Sequence, residues 1–299
     1  MSAPNSANAT QTPSHAADRL LAAISSIGSP VCVGIDPVLE RLPACLTPSS
    51  NNFQAAISAI TSFTQGILEA VAGIVPCVKF QSACFERYGH LGVKALEQLI
   101  SHAKQQSLQV ILDAKRGDIG ISADHYAAAA FEQSQQSSDW ITINSYFGRD
   151  GIEPFLRNGC GAFCLVRTSN PSSDHLQSQE LVSGETVAQR VASMVAEIGT
   201  DSIGDCGYSS LGAVVGATKP RELAALRELM PQQIFLVPGF GAQGGTVDDI
   251  RPCFSADGKG ALITASRSVI YAFNASDDDW KTPITEAAKA LADQIAEVV

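Results

Sequence analysis

The segment Ile111-Leu112-Asp113-Ala114-Lys115-Arg116-Gly117-Asp118-Ile119-Gly120 sets two carboxylates around one ammonium group. Residues two apart on an extended strand point to the same face, which predicts Asp113 and Lys115 on one side of a strand end. Asp118 follows across a glycine turn. Two acids beside a lysine suit proton chemistry: the acids keep the lysine protonated and fix its direction, and the lysine is the donor. A substrate carboxylate held about 4 Å from a fixed aspartate is repelled by about 4 kcal/mol at an effective dielectric near 20. Loss of that charge as carbon dioxide relieves the repulsion. The same residues could also form a solvated salt bridge of little energetic worth. The apolar run before them and the Ile-Gly after them favour a built site.

Two further groups have types and spacing suited to binding. Leu236-Val237-Pro238-Gly239-Phe240-Gly241-Ala242-Gln243-Gly244-Gly245 is rich in glycine, which lets backbone N–H groups approach an anion. Ala265-Ser266-Arg267 supplies a guanidinium suited to bidentate phosphate binding. Arg167-Thr168-Ser169-Asn170-Pro171 offers hydroxyls and an amide that can read a heterocycle, although a turn led by Asn-Pro explains it equally well. His15, His90, His102, His125 and His175 fall in helical or loop patterns without partners in sequence. No metal-ligand cluster, no C-x-x-C pair and no G-x-S-x-G elbow is present.

These groups follow eight short apolar runs: Val31–Ile35, Cys77–Phe80, Val110–Leu112, Trp140–Ile143, Phe163–Val166, Ala213–Val215, Ile234–Val237 and Ala261–Ile263. The runs are continuous rather than alternating, as expected of parallel strands buried on both faces. The first three are read as ending at Asp36, Lys79 and Asp113. Between the runs, Ile60, Phe63, Ile67 and Val71 share a helical face, as do Val93, Leu96 and Ile100, and Ile284, Ala288, Leu291, Ile295 and Val298. Thr218-Lys219-Pro220 reads as a helix start. Eight strand–helix units predict a single (β/α)8 TIM barrel over residues 15–299, with a doubly wound sheet as the alternative. In a barrel the charged run ends form the C-terminal rim, where chemistry lies. Residues 1–14 read as a disordered lead-in.

The chain has 299 residues, 45% of them hydrophobic and 17% charged, which fits a folded globule. Its formal net charge is −10, which argues against a general binder of nucleic acid or anionic membrane. No apolar run is long enough for a membrane span. No secretory pattern precedes the eight cysteines, several of which sit in apolar runs. They read as reduced, buried thiols in a cytoplasmic protein.

In order along the chain, Asp36, Lys79, D-A-K-R-G-D-I-G, T-S-N-P, P-G-F-G-A-Q-G-G and S-R resemble the orotidine 5′-phosphate decarboxylase family. The resemblance is to its longer bacterial branch with the A-K-R-G-D motif, and it covers residues 28 to 275. It implies a homodimeric barrel, free of cofactor and metal, that converts orotidine 5′-phosphate to UMP and carbon dioxide in pyrimidine biosynthesis. Lys115 would protonate C6, and Asp113 would face the leaving carboxylate. Asp118 would enter the partner's site, with Ile119 and Ser122 beside it. Asp36 and Lys79 would hold the ribose, with Lys79 also completing an Asp-Lys-Asp charge network; Ser169 would read the pyrimidine, and Gln243 and Arg267 would hold the phosphate. Sister enzymes with the same D-x-K-x-x-D motif decarboxylate or condense sugar phosphates with magnesium and a glutamate near strand two. Here that strand carries Lys79. A non-catalytic nucleotide-binding barrel is the reading from another class.

Overall fold

Strands form at all eight apolar runs: β1 (Val31–Ile35), β2 (Cys77–Gln81), β3 (Gln109–Arg116), β4 (Trp140–Ile143), β5 (Gly161–Arg167), β6 (Leu211–Val215), β7 (Phe235–Pro238) and β8 (Ala261–Ala265). In this computed structural model, residues 14–48, 50, 52–133, 136–157, 159–217, 220–240 and 247–298 are described. The expected lead-in therefore lies outside them except for Ser14. Every strand pairs in parallel with its neighbour in sequence, and β1 pairs with β8 through Val31–Ile263 and Cys32–Thr264. That closure excludes the open doubly wound sheet.

The apolar runs serve two cores by strict alternation. Cys32, Cys77, Ile111, Trp140, Phe163, Val214, Leu236 and Leu262 point into the barrel, one from each strand. Val33, Val78, Val110, Ile141, Cys164, Ala213, Val237 and Ile263 point outward under the helices. Both sets are buried, so the runs show no polar face. Trp140 and Phe163 stack inside at 4.5 Å between ring centroids. Gly161 makes the room: a Cβ there would lie 2.4 Å from the Trp140 ring. The helix Ala16–Ile27 closes the opposite end with Ala16, Ala17, Leu20 and Leu21. Its Arg19 donates to the Gly159 carbonyl at 3.1 Å, and its Asp18 accepts from the Cys206 amide at 2.8 Å. The rim at the C-terminal strand ends is left for the site.

The helices keep the expected faces with one exception. Ile60, Phe63, Ile67 and Val71 are all buried in the helix Phe53–Val71, which Asn52 caps by accepting from the Ala55 amide at 2.8 Å. Ile284, Ala288, Leu291 and Ile295 are buried in the helix Lys281–Ala296, and Val298, expected on the same face, is buried in the turn beyond its end. In the helix Gly89–Gln105 the buried stripe runs through Leu96, Leu99, Ile100 and Ala103, and Val93 falls off its edge and is exposed. The helix Pro220–Leu229 begins at the expected proline, while Thr218 and Lys219 lie outside the described residues. Cys32, Cys77, Cys164 and Cys253 are buried as expected, but Cys45 is exposed. Among the described residues, no helix is long and apolar enough to cross a membrane.

Candidate active site

A cavity of about 500 Å³ opens at the C-terminal ends of the strands. Its lining brings together Asp36, Lys79, Asp113, Lys115, Ser169 and Arg267, residues that the chain spreads over more than two hundred positions. Two of them sit deeper than expected. β2 continues past Lys79 to Gln81, and β3 continues past Asp113 to Arg116. Lys79 and Asp113 are therefore inward-facing strand residues, each about 6% exposed, and not the last residues of their strands. The Ile-Leu-Asp-Ala-Lys-Arg run contains no breaker, so the ladder can extend through the motif.

Asp113 is clamped by four donors. Its Oδ2 accepts from Lys79 Nζ at 2.6 Å and from Gln81 Nε2 at 3.3 Å. Its Oδ1 accepts from Lys115 Nζ at 2.5 Å and from Thr142 Oγ1 at 2.8 Å. Burial opposes ionisation of this carboxyl, but the two ammonium groups and their hydrogen bonds outweigh it and hold the pKa down to about 2. Burial likewise works against the charge on Lys79, and Asp113 and Asp36 overcome it, so its pKa lies above the usual lysine value. Both groups are ionised at neutral pH, and the pair exists as a salt bridge in the barrel interior.

Lys115 meets Asp113 as strand alternation predicts, but on a different backbone path. Lys115 does not continue a regular strand: its φ is +47°, in the left-handed region that non-glycine residues rarely enter. The β3–β4 pairing passes from Leu112–Ile141 to Arg116–Ile143, a bulge in which β3 gains two residues on its partner. The bulge carries the lysine out to the mouth, where its side chain is 46% exposed while its ammonium still meets Asp113.

Other parts of the rim wait for a partner. Among the described residues, the buried Asp36 Oδ1 has no hydrogen-bond partner, and the same holds for Thr264 Oγ1 on the cavity wall. The Asp36 carbonyl accepts from the Tyr271 hydroxyl at 3.2 Å, which fixes that backbone turn. Arg267 opens a short helix, Arg267–Ile270, directly after β8. Gln243, with Gly241 and Gly244, lies outside the described residues.

The strand-five group divides in two. Thr168, Ser169 and Asn170 line the cavity, but Arg167 turns away from it. Its guanidinium is buried in a knot with Glu222 at 2.8 Å, Ser173 at 2.7 Å, Gln177 at 3.1 Å and Asp174. Gln177 in turn accepts from the Thr168 amide at 2.9 Å, so the knot braces the loop that presents Ser169. Gly216 backs Ser169 so closely that a Cβ would fall 2.9 Å from the serine Cβ. Ser169 is thus fixed from two sides.

Asp118, Ile119 and Ser122 are not part of the cavity in a single chain. Asp118 accepts from the Ile119 amide at 2.8 Å, and Ser122 sits on the exposed first turn of the helix Gly120–Phe131. Around them lies an apolar face: Ile119 is 56% exposed, Ile121 73% and Tyr146 84%. Phe147 packs beside the 117–118 turn and joins this face.

Sequence reasoning missed Gln81, Thr142 and Thr264. Each is a polar residue on the inward face near the end of an apolar run, as in Trp140-Ile141-Thr142-Ile143. That pattern is a usable signal, because an inward polar group in a barrel has only the rim chemistry to satisfy it.

Residues 29–277 match the model of the orotidine 5′-phosphate decarboxylase / HUMPS family. The chain is 42% identical over 297 residues to an orotidine 5′-phosphate decarboxylase of Rhodopirellula baltica, covering 93% of this chain and 98% of that one. It is 35% identical to the Caldicellulosiruptor bescii protein of the same name, covering 93% and 97%. The structure of Leishmania donovani OMP decarboxylase superposes with a TM-score of 0.74 at 29% identity, covering 95% of this chain and 98% of that one.

Proposed function

The chain belongs to the orotidine 5′-phosphate decarboxylase / HUMPS family, and on that premise we propose that it decarboxylates orotidine 5′-phosphate to UMP in pyrimidine biosynthesis. The observation that carries this reading is the Lys79–Asp113–Lys115 array lining a cavity of nucleotide size. The bond between C6 and the carboxylate breaks, carbon dioxide leaves, and the electron pair stays on C6. The Lys115 ammonium faces that developing charge, donates a proton to C6 and becomes an amine that solvent reprotonates. A fixed cation placed where charge develops stabilises the transition state without reorganising.

The clamp around Asp113 refines the electrostatics. An aspartate paired with two ammonium groups repels an incoming carboxylate less than an isolated one does. Weight therefore moves from substrate repulsion toward the Lys115 cation. The same clamp supports a metal-free reaction: both Asp113 oxygens are taken by two donors each, which leaves no lone pair for a divalent ion. Asp36, whose Oδ1 has no partner among the described residues, takes a ribose hydroxyl together with Lys79. Ser169 reads the pyrimidine, and Arg267 with Gln243 holds the phosphate. The chain works as a homodimer in which Asp118, Ile119 and Ser122 of one copy complete the site of the other. The exposed apolar face around Asp118 supports that arrangement.

An ultraviolet assay with orotidine 5′-phosphate tests the reading. Turnover is expected without added metal and unchanged by EDTA. Loss of activity on chelation would point to the magnesium-dependent sister chemistry, and tight UMP binding without turnover would point to a sensor.

A second expected outcome concerns the phosphate. Arg267→Ala should lower kcat/KM for orotidine 5′-phosphate by about one to two orders of magnitude, since a lost charge-assisted contact costs about 1.5–3 kcal/mol, and remote binding also holds the reacting ring. Phosphate-free orotidine should be affected far less. Equal losses on both substrates would remove Arg267 from the phosphate site.

A further inference from the structure

The β3 bulge that lifts Lys115 to the cavity mouth also removes the ladder acceptor for its backbone amide. Three β3 residues, Asp113, Ala114 and Lys115, lie opposite Thr142, the one β4 residue between the paired Ile141 and Ile143. An orphaned amide in this wall would be costly, and a left-handed lysine would lack a reason to stay there. The Thr142 side chain takes over both tasks. Its hydroxyl accepts from the Lys115 amide at 3.0 Å and donates its only proton to Asp113 Oδ1 at 2.8 Å. The same Oδ1 receives the Lys115 ammonium. One hydroxyl thus closes a ring that contains the lysine backbone, the lysine side chain and the carboxylate. The residue is about 1% exposed, and its β-branched side chain has few rotamers to lose.

We propose that Thr142 is the positioning residue of this site, holding the left-handed Lys115 backbone and the Asp113 carboxylate in one fixed relation. The inference rests on the reading of Lys115 as the proton donor to C6. It does not make Thr142 a contact of the substrate; the hydroxyl is already committed on both sides. Lys79 and Gln81 hold the other carboxylate oxygen from β2 and are untouched by changes at Thr142. Removing the hydroxyl therefore loosens the Lys115 side of the array alone. Substrate binding through ribose and phosphate is left as it was.

The test compares Thr142→Val, Thr142→Ser and Thr142→Ala with the wild type, with Lys115→Ala measured alongside. Thr142→Val keeps the branched shape and loses both hydrogen bonds. It should lower kcat about 10- to 100-fold with KM within about threefold, the range expected for a lost bond to a charged group. Thr142→Ser keeps the hydroxyl and should recover most of kcat. A folded Thr142→Val with wild-type kcat, or with kcat and KM damaged together, overturns the proposal. If valine prevents folding, serine and alanine decide: equal kcat for the two overturns it, and a tenfold or greater deficit in alanine supports it. An active Lys115→Ala would instead overturn the underlying reading of the lysine. An inactive Lys115→Ala beside a fully active Thr142→Val would sink the Thr142 role alone.

Discussion

Lys115→Ala is expected to abolish decarboxylation while the barrel stays folded. Loss of a positioned general acid costs about 10²- to 10⁴-fold, and loss of a preorganised electrostatic stabiliser costs about 10²- to 10³-fold. One side chain supplies both here, so turnover should fall at least about ten-thousandfold. Stability should change little. The lysine side chain is 46% exposed and packs no core, and Asp113 keeps Lys79, Gln81 and Thr142. Steady-state turnover with orotidine 5′-phosphate, paired with thermal melting followed by circular dichroism, reads both halves. A variant that melts like the wild type and turns over within tenfold of it would remove Lys115 from the chemistry.

The second large effect is a gain on mixing two impaired proteins. If each site takes Asp113 and Lys115 from one copy and Asp118 from the other, Lys115→Ala and Asp118→Ala homodimers are each defective at both sites. In a mixed dimer one site collects both lesions and the other pairs an intact lysine with an intact aspartate. Random exchange makes half of the dimers mixed, each with one good site of two. Equal amounts should then recover roughly a quarter of wild-type activity, a consequence of two-fold symmetry. Native mass spectrometry of tagged chains establishes the exchange. No recovery despite confirmed mixed dimers would place Asp118 within its own site or outside the chemistry. The single chain motivates the experiment, because Asp118 does not line its own cavity, while Ile119 and Ile121 just after it are exposed.

What the sequence determined by itself was whatever depends on local pattern. Continuous apolar runs mean burial on two faces, and eight of them punctuated by helical stripes leave a parallel barrel as the economical solution. Asp36, Lys79, Asp113, Lys115, Ser169 and Arg267 were legible as one group because charged and polar residues at the ends of such runs fall on one rim, and because their order resembled a known family. What only the tertiary structure decided depends on register and closure. Lys79 reaches Asp113 across 34 positions because β2 and β3 pair with Gln81 beside Asp113. Arg167, read from sequence with its neighbours as part of the binding group, turned to Glu222 and Asp174, since a buried guanidinium follows carboxylates that other loops deliver. Val93 left its stripe because the packing partner, not the period alone, sets where the stripe ends. Simple alternation placed Lys115 beside Asp113 but could not foresee the left-handed backbone or the threonine that sustains it. A bulge is specified by hydrogen bonds between neighbouring strands, and those exist only once the barrel has closed.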